Sequence, residues 1–153
     1  MKKLYTIMAV VLLASMLLTA CGGAGGGGAA GGPPDCTKDT AFCVGLVTDV
    51  GKVDDKSFNQ TAWEGVQKAK TDGVADWVQY IETTDAKDYD KNIATFADAG
   101  YDEIVTVGFN LTDATYNAAK KYPNLKFIGI DQFLSKDTNH PDWPLAIGKR
   151  RGN

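Results

Sequence analysis

The densest chemistry in the chain lies in one short run, Thr48-Asp49-Val50-Gly51-Lys52-Val53-Asp54-Asp55-Lys56-Ser57-Phe58-Asn59-Gln60. It sets carboxylates, a glycine and a carboxamide around a single aromatic ring. Fixed carboxylates accept hydrogen bonds from sugar hydroxyls and ring N–H groups, a carboxamide both donates and accepts, and an aromatic face stacks on a planar ring. Together these groups suit a nucleoside. Phosphate is not the indicated ligand: no G-x-G-x-x-G occurs here, and Gly51-Lys52 lacks both the upstream glycine and the following Ser/Thr of a P-loop. Asp131, at the end of the apolar run Lys126 to Ile130, has few structural excuses, and a functional role is the better reading of it. Asn110 reads as a helix N-cap with Asp113 three residues on.

Structural roles compete for these positions. Asp54 and Asp55 fit first-turn acids favoured by a helix dipole, and Phe58 has the spacing to Ala62 and Val66 of a core residue as well as the position of a ligand contact. Asn59 follows a capping residue and fits a solvated side chain. Enzyme chemistry is not supplied. There is no nucleophile elbow, Cys/His pair or metal cluster, and His140, the one histidine, reads as solvated in a Pro-rich tail. Asp54 and Asp55 are adjacent and would point apart, which is a poor carboxylate dyad. The chain therefore reads as a binding module with no cofactor and no metal.

The elements that must position these residues alternate. A strand at 44–48 precedes a helix at 57–70, opened by a capping box of Ser57 and Gln60 and stopped at Thr71-Asp72-Gly73. A strand at 77–81 and a helix from about residue 87 follow, with Tyr89, Ile93 and Phe96 on one face and Gly100 as C-cap. A strand at 103–107, a helix at 111–122 ended by Pro123, and a strand at 126–130 complete the series. This spacing predicts an α/β fold, a Rossmann-like parallel sheet, whose ligands bind beyond the carboxyl ends of the strands. Three loops are thereby singled out, at 49–56, 108–111 and 131–133.

Lys2-Lys3 and the nearly apolar stretch 4–18 form a secretory signal over residues 1–20, shorter than the roughly 20 apolar residues of a membrane span. Leu18-Thr19-Ala20-Cys21 has the form of a lipobox, which makes Cys21 a lipidation site and predicts an anchor on the extracytoplasmic face of the cell membrane. Residues 21–35, mostly Gly, Ala and Pro, make a flexible tether. The lobe spans 36–133 and a tail 134–153. Of the three cysteines, Cys36 and Cys43 remain as a pair, read as a disulfide in an oxidising compartment against the alternative of two free thiols. The net charge of −3 and the lack of a basic stripe argue against nucleic acid as a partner.

Four collinear blocks, running from Val47 to Gln60, Ala62-Trp63-Glu64-Gly65, Val105-Thr106-Val107-Gly108-Phe109 and Phe127-Ile128-Gly129-Ile130-Asp131-Gln132, resemble the basic membrane protein family of substrate-binding lipoproteins. That resemblance implies the N-terminal lobe of a type I periplasmic-binding-protein fold, a purine nucleoside as ligand, and the permease and ATPase of an ABC importer as partners. It implies that Phe58 stacks on the base, that Asp49 and Asn59 bond its edge, and that Asp131 holds ribose hydroxyls. The same lobe would serve a ligand-sensing lipoprotein. Family members carry a second lobe, and the basic ending Lys149-Arg150-Arg151-Gly152-Asn153 reads as truncation before it, so weak or absent nucleoside binding is expected of this chain.

Overall fold

The structure is a computed structural model that describes residues 32–134 and His140. The expected signal peptide, Cys21, most of the expected tether and most of the tail lie outside the described residues. The fold belongs to the unit that begins at Pro33.

β1 (Cys43–Val50) carries the β-branched apolar run, extended at both ends relative to the 44–48 expected. α1 (Phe58–Thr71) leads to β2 (Trp77–Thr83), and a 3-10 turn at Ala86–Asp88 leads into α2 (Tyr89–Asp98). β3 (Glu103–Val107) passes through a second 3-10 turn, Phe109–Leu111, to α3 (Thr112–Lys121) and then β4 (Lys126–Ile130). All pairings are parallel and the order is β2-β1-β3-β4. The alternation of strand and helix periodicity thus produces the predicted parallel sheet. Its strand order reverses between β1 and β3, which places the topological switch point at their carboxyl ends.

Both faces of the sheet are apolar, as a parallel sheet requires. On one face Val47 and Ile104 pack with Tyr89, Ile93 and Phe96 of α2 and Ala114 and Ala118 of α3. On the other, Val44, Leu46, Val105 and Val107 meet Val66 of α1. Ile93, Ile104 and Leu46 are fully buried, each contributing about 1.5–3 kcal/mol. Asp76 and Asp102 accept the Phe42 and Cys43 amides at 2.7 and 2.8 Å, fixing the entry to β1. Cys36 and Cys43 are joined by a disulfide with a Cα–Cα distance of 5.8 Å. Because α1 covers only part of its face, an apolar groove of about 670 Å³ remains between α1 and β3–β4, with Val105, Ile128 and Ile130 in its lining.

Three local expectations differ from the structure. Ser57 makes no side-chain capping bond; the Asp55 carboxylate accepts from the Ser57, Asn59 and Gln60 amides at 2.8, 3.2 and 3.1 Å. A charged acceptor with two oxygens outcompetes a hydroxyl, and Lys56 at φ 57° turns the chain so that Asp55 reaches back. Asn110 is not an N-cap, since it lies inside the 3-10 turn before α3. His140 is buried, its Nε2 2.9 Å from Asp113 Oδ1 and its ring edge-on to Tyr116, because the chain packs it back onto α3. No helix among the described residues is long and apolar enough to cross a membrane.

Candidate functional site

The loop after β1 is held by side chains remote in sequence. Thr48 Oγ1 donates to the Gly51 carbonyl at 3.0 Å and accepts from the Thr83 amide at 3.2 Å, while Asn92 Nδ2 bonds Thr83 Oγ1 at 2.9 Å. Glu82 accepts from the Val53 amide at 2.9 Å, and Val53 itself is buried. These contacts carry the loop along the end of β2 and deliver the chain into α1. Asp55 then satisfies amides at the start of that helix.

Asp49, near the carboxyl end of β1, is half-buried and lies against Gly108 at the end of β3. A Cβ added at Gly108 would fall 2.7 Å from Asp49 Cγ and 2.9 Å from its Cβ. Only glycine fits, and its backbone at φ 107° and ψ 144° belongs to glycine as well. Burial raises the Asp49 carboxyl above the ordinary carboxylate range; the Asn59 amide opposes that rise, the Asp55 charge adds to it, and Asn110 opposes and Asp131 adds in turn. Asp55 contrasts with it. Desolvation acts upward there, but the backbone amides of Gln60, Ser57 and Asn59 together hold it below the ordinary range.

Of the sequence-nominated residues, Asp49 and Asn59 are brought together, and Asp131 lies within electrostatic reach of them. Asn59 is only 5% exposed, and its Nδ2 donates to the Lys52 carbonyl at 3.2 Å, so much of its amide serves to hold the loop. Phe58, the preceding residue, is 62% exposed, outside both core clusters, with its ring at the groove beside α1. A ring left in water is free to stack. Asp131 is exposed and has φ 57°, uncommon for a residue with a side chain.

Asn110 joins the site although its sequence position suggested a cap. The signal that could have found it is its place two residues after Gly108, beyond the end of β3. Gln132 is the other unforeseen participant. Its Nε2 lies 3.1 Å from Thr106 Oγ1, 3.2 Å from the Gly108 carbonyl and 3.5 Å from the Thr106 carbonyl. Among the described residues no group of three or more His, Cys, Asp or Glu could hold a metal ion. The arrangement can accept hydrogen bonds through carboxylates, exchange them through amides, and present an apolar ring.

A polar cluster at the switch point of a parallel sheet stands where open α/β lobes take small ligands. The chain belongs to the PnrA-like family of ABC transporter substrate-binding proteins, whose profile matches residues 42–141. This is a family of substrate-binding proteins, not of enzymes. The chain is 37% identical over 102 residues to the CD4+ T-cell-stimulating antigen of Listeria monocytogenes, covering 64% of this chain and 29% of the relative. It is 36% identical over 97 residues to the ABC transporter nucleoside-binding protein BmpA of Lactococcus lactis, covering 61% and 28%. A crystal structure of an ABC transporter solute-binding protein from Aeropyrum pernix superposes with a TM-score of 0.54 at 28% identity, covering 60% of this chain and 25% of that one. The chain spans under a third of the length of the curated relatives it matches.

Proposed function

We propose that this lobe forms one wall of a nucleoside site in a lipid-anchored receptor that feeds an ABC importer. The observation that carries the reading is the meeting of Asp49 with the Asn59 and Asn110 amides at the β1–β3 switch point, beside an exposed Phe58 ring. Phe58 stacks on the base, Asp49 bonds its edge with Asn59 in support, and Asp131 takes ribose hydroxyls. Membership of a substrate-binding family and likeness to a protein named as nucleoside-binding support this choice of ligand over other planar solutes. Purines are the preferred class. Cys21 carries the lipid, and the Gly-rich segment after it gives the lobe reach toward the permease.

One wall encloses less of a ligand than a closed cleft does, so this lobe by itself should bind weakly. The test is a titration of the ¹⁵N-labelled protein with guanosine, adenosine and uridine. Purine nucleosides are expected to shift the signals of Asp49, Phe58, Asn59, Asn110 and Asp131 with a Kd of about 1 mM, some −4 kcal/mol. Absence of any localised shift with all three nucleosides would refute the reading. Labelling with radioactive palmitate in wild type and Cys21→Ser tests the anchor, and label retained in the variant refutes it.

A further inference from the structure

Beyond the residues that would touch a ligand, the end of β4 contains two adjacent features that stability alone does not explain. Asp131 adopts φ 57°, a conformation costly for a residue with a Cβ. Next to it, Gln132 folds its carboxamide back onto the sheet, where Oε1 is buried without a hydrogen-bond partner among the described residues. A buried amide with an orphaned oxygen calls for an explanation, because an apolar side chain of similar length would fill the space without that loss.

We propose that Gln132 is the positioning residue of this site: its carboxamide clamps the carboxyl end of β4 to that of β3 and so sets the separation of Asp131 and Asp49. The clamp is complete on both sides. Nε2 reaches Thr106 Oγ1 and the Gly108 carbonyl, and the Gly108 α-carbon is the surface against which Asp49 rests. Thr106 is fully buried and takes a second bond, 2.9 Å, from Thr115 of α3, so the anchor point is rigid. Gly129 makes room: a Cβ there would come 2.9 Å from Gln132 Cδ and nearer still to Oε1. Between Gly129 and Gln132 the chain passes through Asp131 in the left-handed conformation, with Asp131 exposed just past the end of β4. The consequence for binding rests on the nucleoside reading; the clamp itself does not.

The test is Gln132→Met in the full chain, which keeps length and removes the donor. Backbone chemical shifts of Asp131 and Gly108 are expected to move and the left-handed signature of Asp131 to disappear. Guanosine affinity should fall about tenfold, the loss of one hydrogen bond's worth of placement. In Asp131→Asn/Gln132→Met the loss should be no greater than in Asp131→Asn alone, a coupling that a merely structural role would not produce. An unchanged Asp131 signature, or additive losses, overturns the proposal. Should the wild type not respond to guanosine, the nucleoside reading fails while the backbone signature still decides the clamp. Gly129→Ala, which denies the amide its space, supplies the same decision if Gln132→Met does not fold.

Discussion

Replacing Gly108 by alanine probes the contact on which the strand-end site is built. The backbone there, at φ 107° and ψ 144°, lies near a region open essentially to glycine, and forcing a Cβ-bearing residue into it costs about 1–3 kcal/mol. The new methyl would also stand 2.7 Å from Asp49 Cγ and 2.9 Å from Asp49 Cβ, so the carboxylate or the β3 end must move. With about 2 kcal/mol lost, a lobe of this size should melt roughly 8–16 °C lower. Urea unfolding and thermal melts of the full chain measure the loss. The position also separates part of its two components: an Asp49→Ala background removes the contact with the carboxylate and keeps the one with Cβ at 2.9 Å, so the loss should shrink without falling to the backbone share alone. Gly65→Ala is the control of opposite sign, because it lies in α1 with nothing within 4 Å of the added Cβ, and alanine should stabilise there by up to about 1 kcal/mol. A Gly108→Ala protein within about 0.5 kcal/mol of wild type would refute the reasoning.

Further expectations concern the loop and the site. Asp55→Ala removes the acceptor of the amides at the start of α1 and should cost about 1–2 kcal/mol in urea unfolding, whereas Ser57→Ala should cost much less. The two aspartates oppose one another in pH dependence. The depressed Asp55 carboxyl contributes stability present above the unfolded value near 3.8 and lost as pH falls through its lower folded value. The raised Asp49 carboxyl binds its proton more tightly when folded, so ionising it disfavours the fold as pH rises from 3.8 through the raised value. Asp49→Asn should therefore flatten unfolding free energy over that window, and an unchanged profile would count against the burial argument. If the proposed role of the Asp49 carboxylate holds, nucleoside binding should weaken as pH falls through the same raised value. Phe58→Ala should lower nucleoside affinity by about one to two decades, with the melting temperature nearly unchanged because the ring is exposed. Replacing Cys36 and Cys43 by serine should cost roughly 2–3 kcal/mol, the closure entropy of their short loop.

Periodicity and turn chemistry were enough to read the architecture in the sequence. The run Val44 to Thr48, the i, i+4 spacing of Phe58, Ala62 and Val66, and the stops at Gly73 and Pro123 are local signals, and local sterics and hydrogen bonding enforce them. Alternating strands and helices then left a parallel sheet as the arrangement, and the sheet directed attention to three strand-end loops. The dense cluster after β1 was legible for the same reason, since its residues are neighbours in the chain. What tertiary structure decided was how each residue is used. Helix capping by Asp55 instead of Ser57 depends on the left-handed turn at Lys56. Asn59 lies inside while Phe58 lies outside, because the helix phase is set by packing against β1 and β3. Asn110 turns from cap to site residue because β3 lies beside β1, and His140 is buried because the chain returns to α3. The partnership of Asp49, Gly108 and Gln132 joins positions more than 20 residues apart, each unremarkable alone. Short-range physics shows in a sequence as pattern, whereas contacts between distant residues leave no local trace until the sheet order brings the strand ends together.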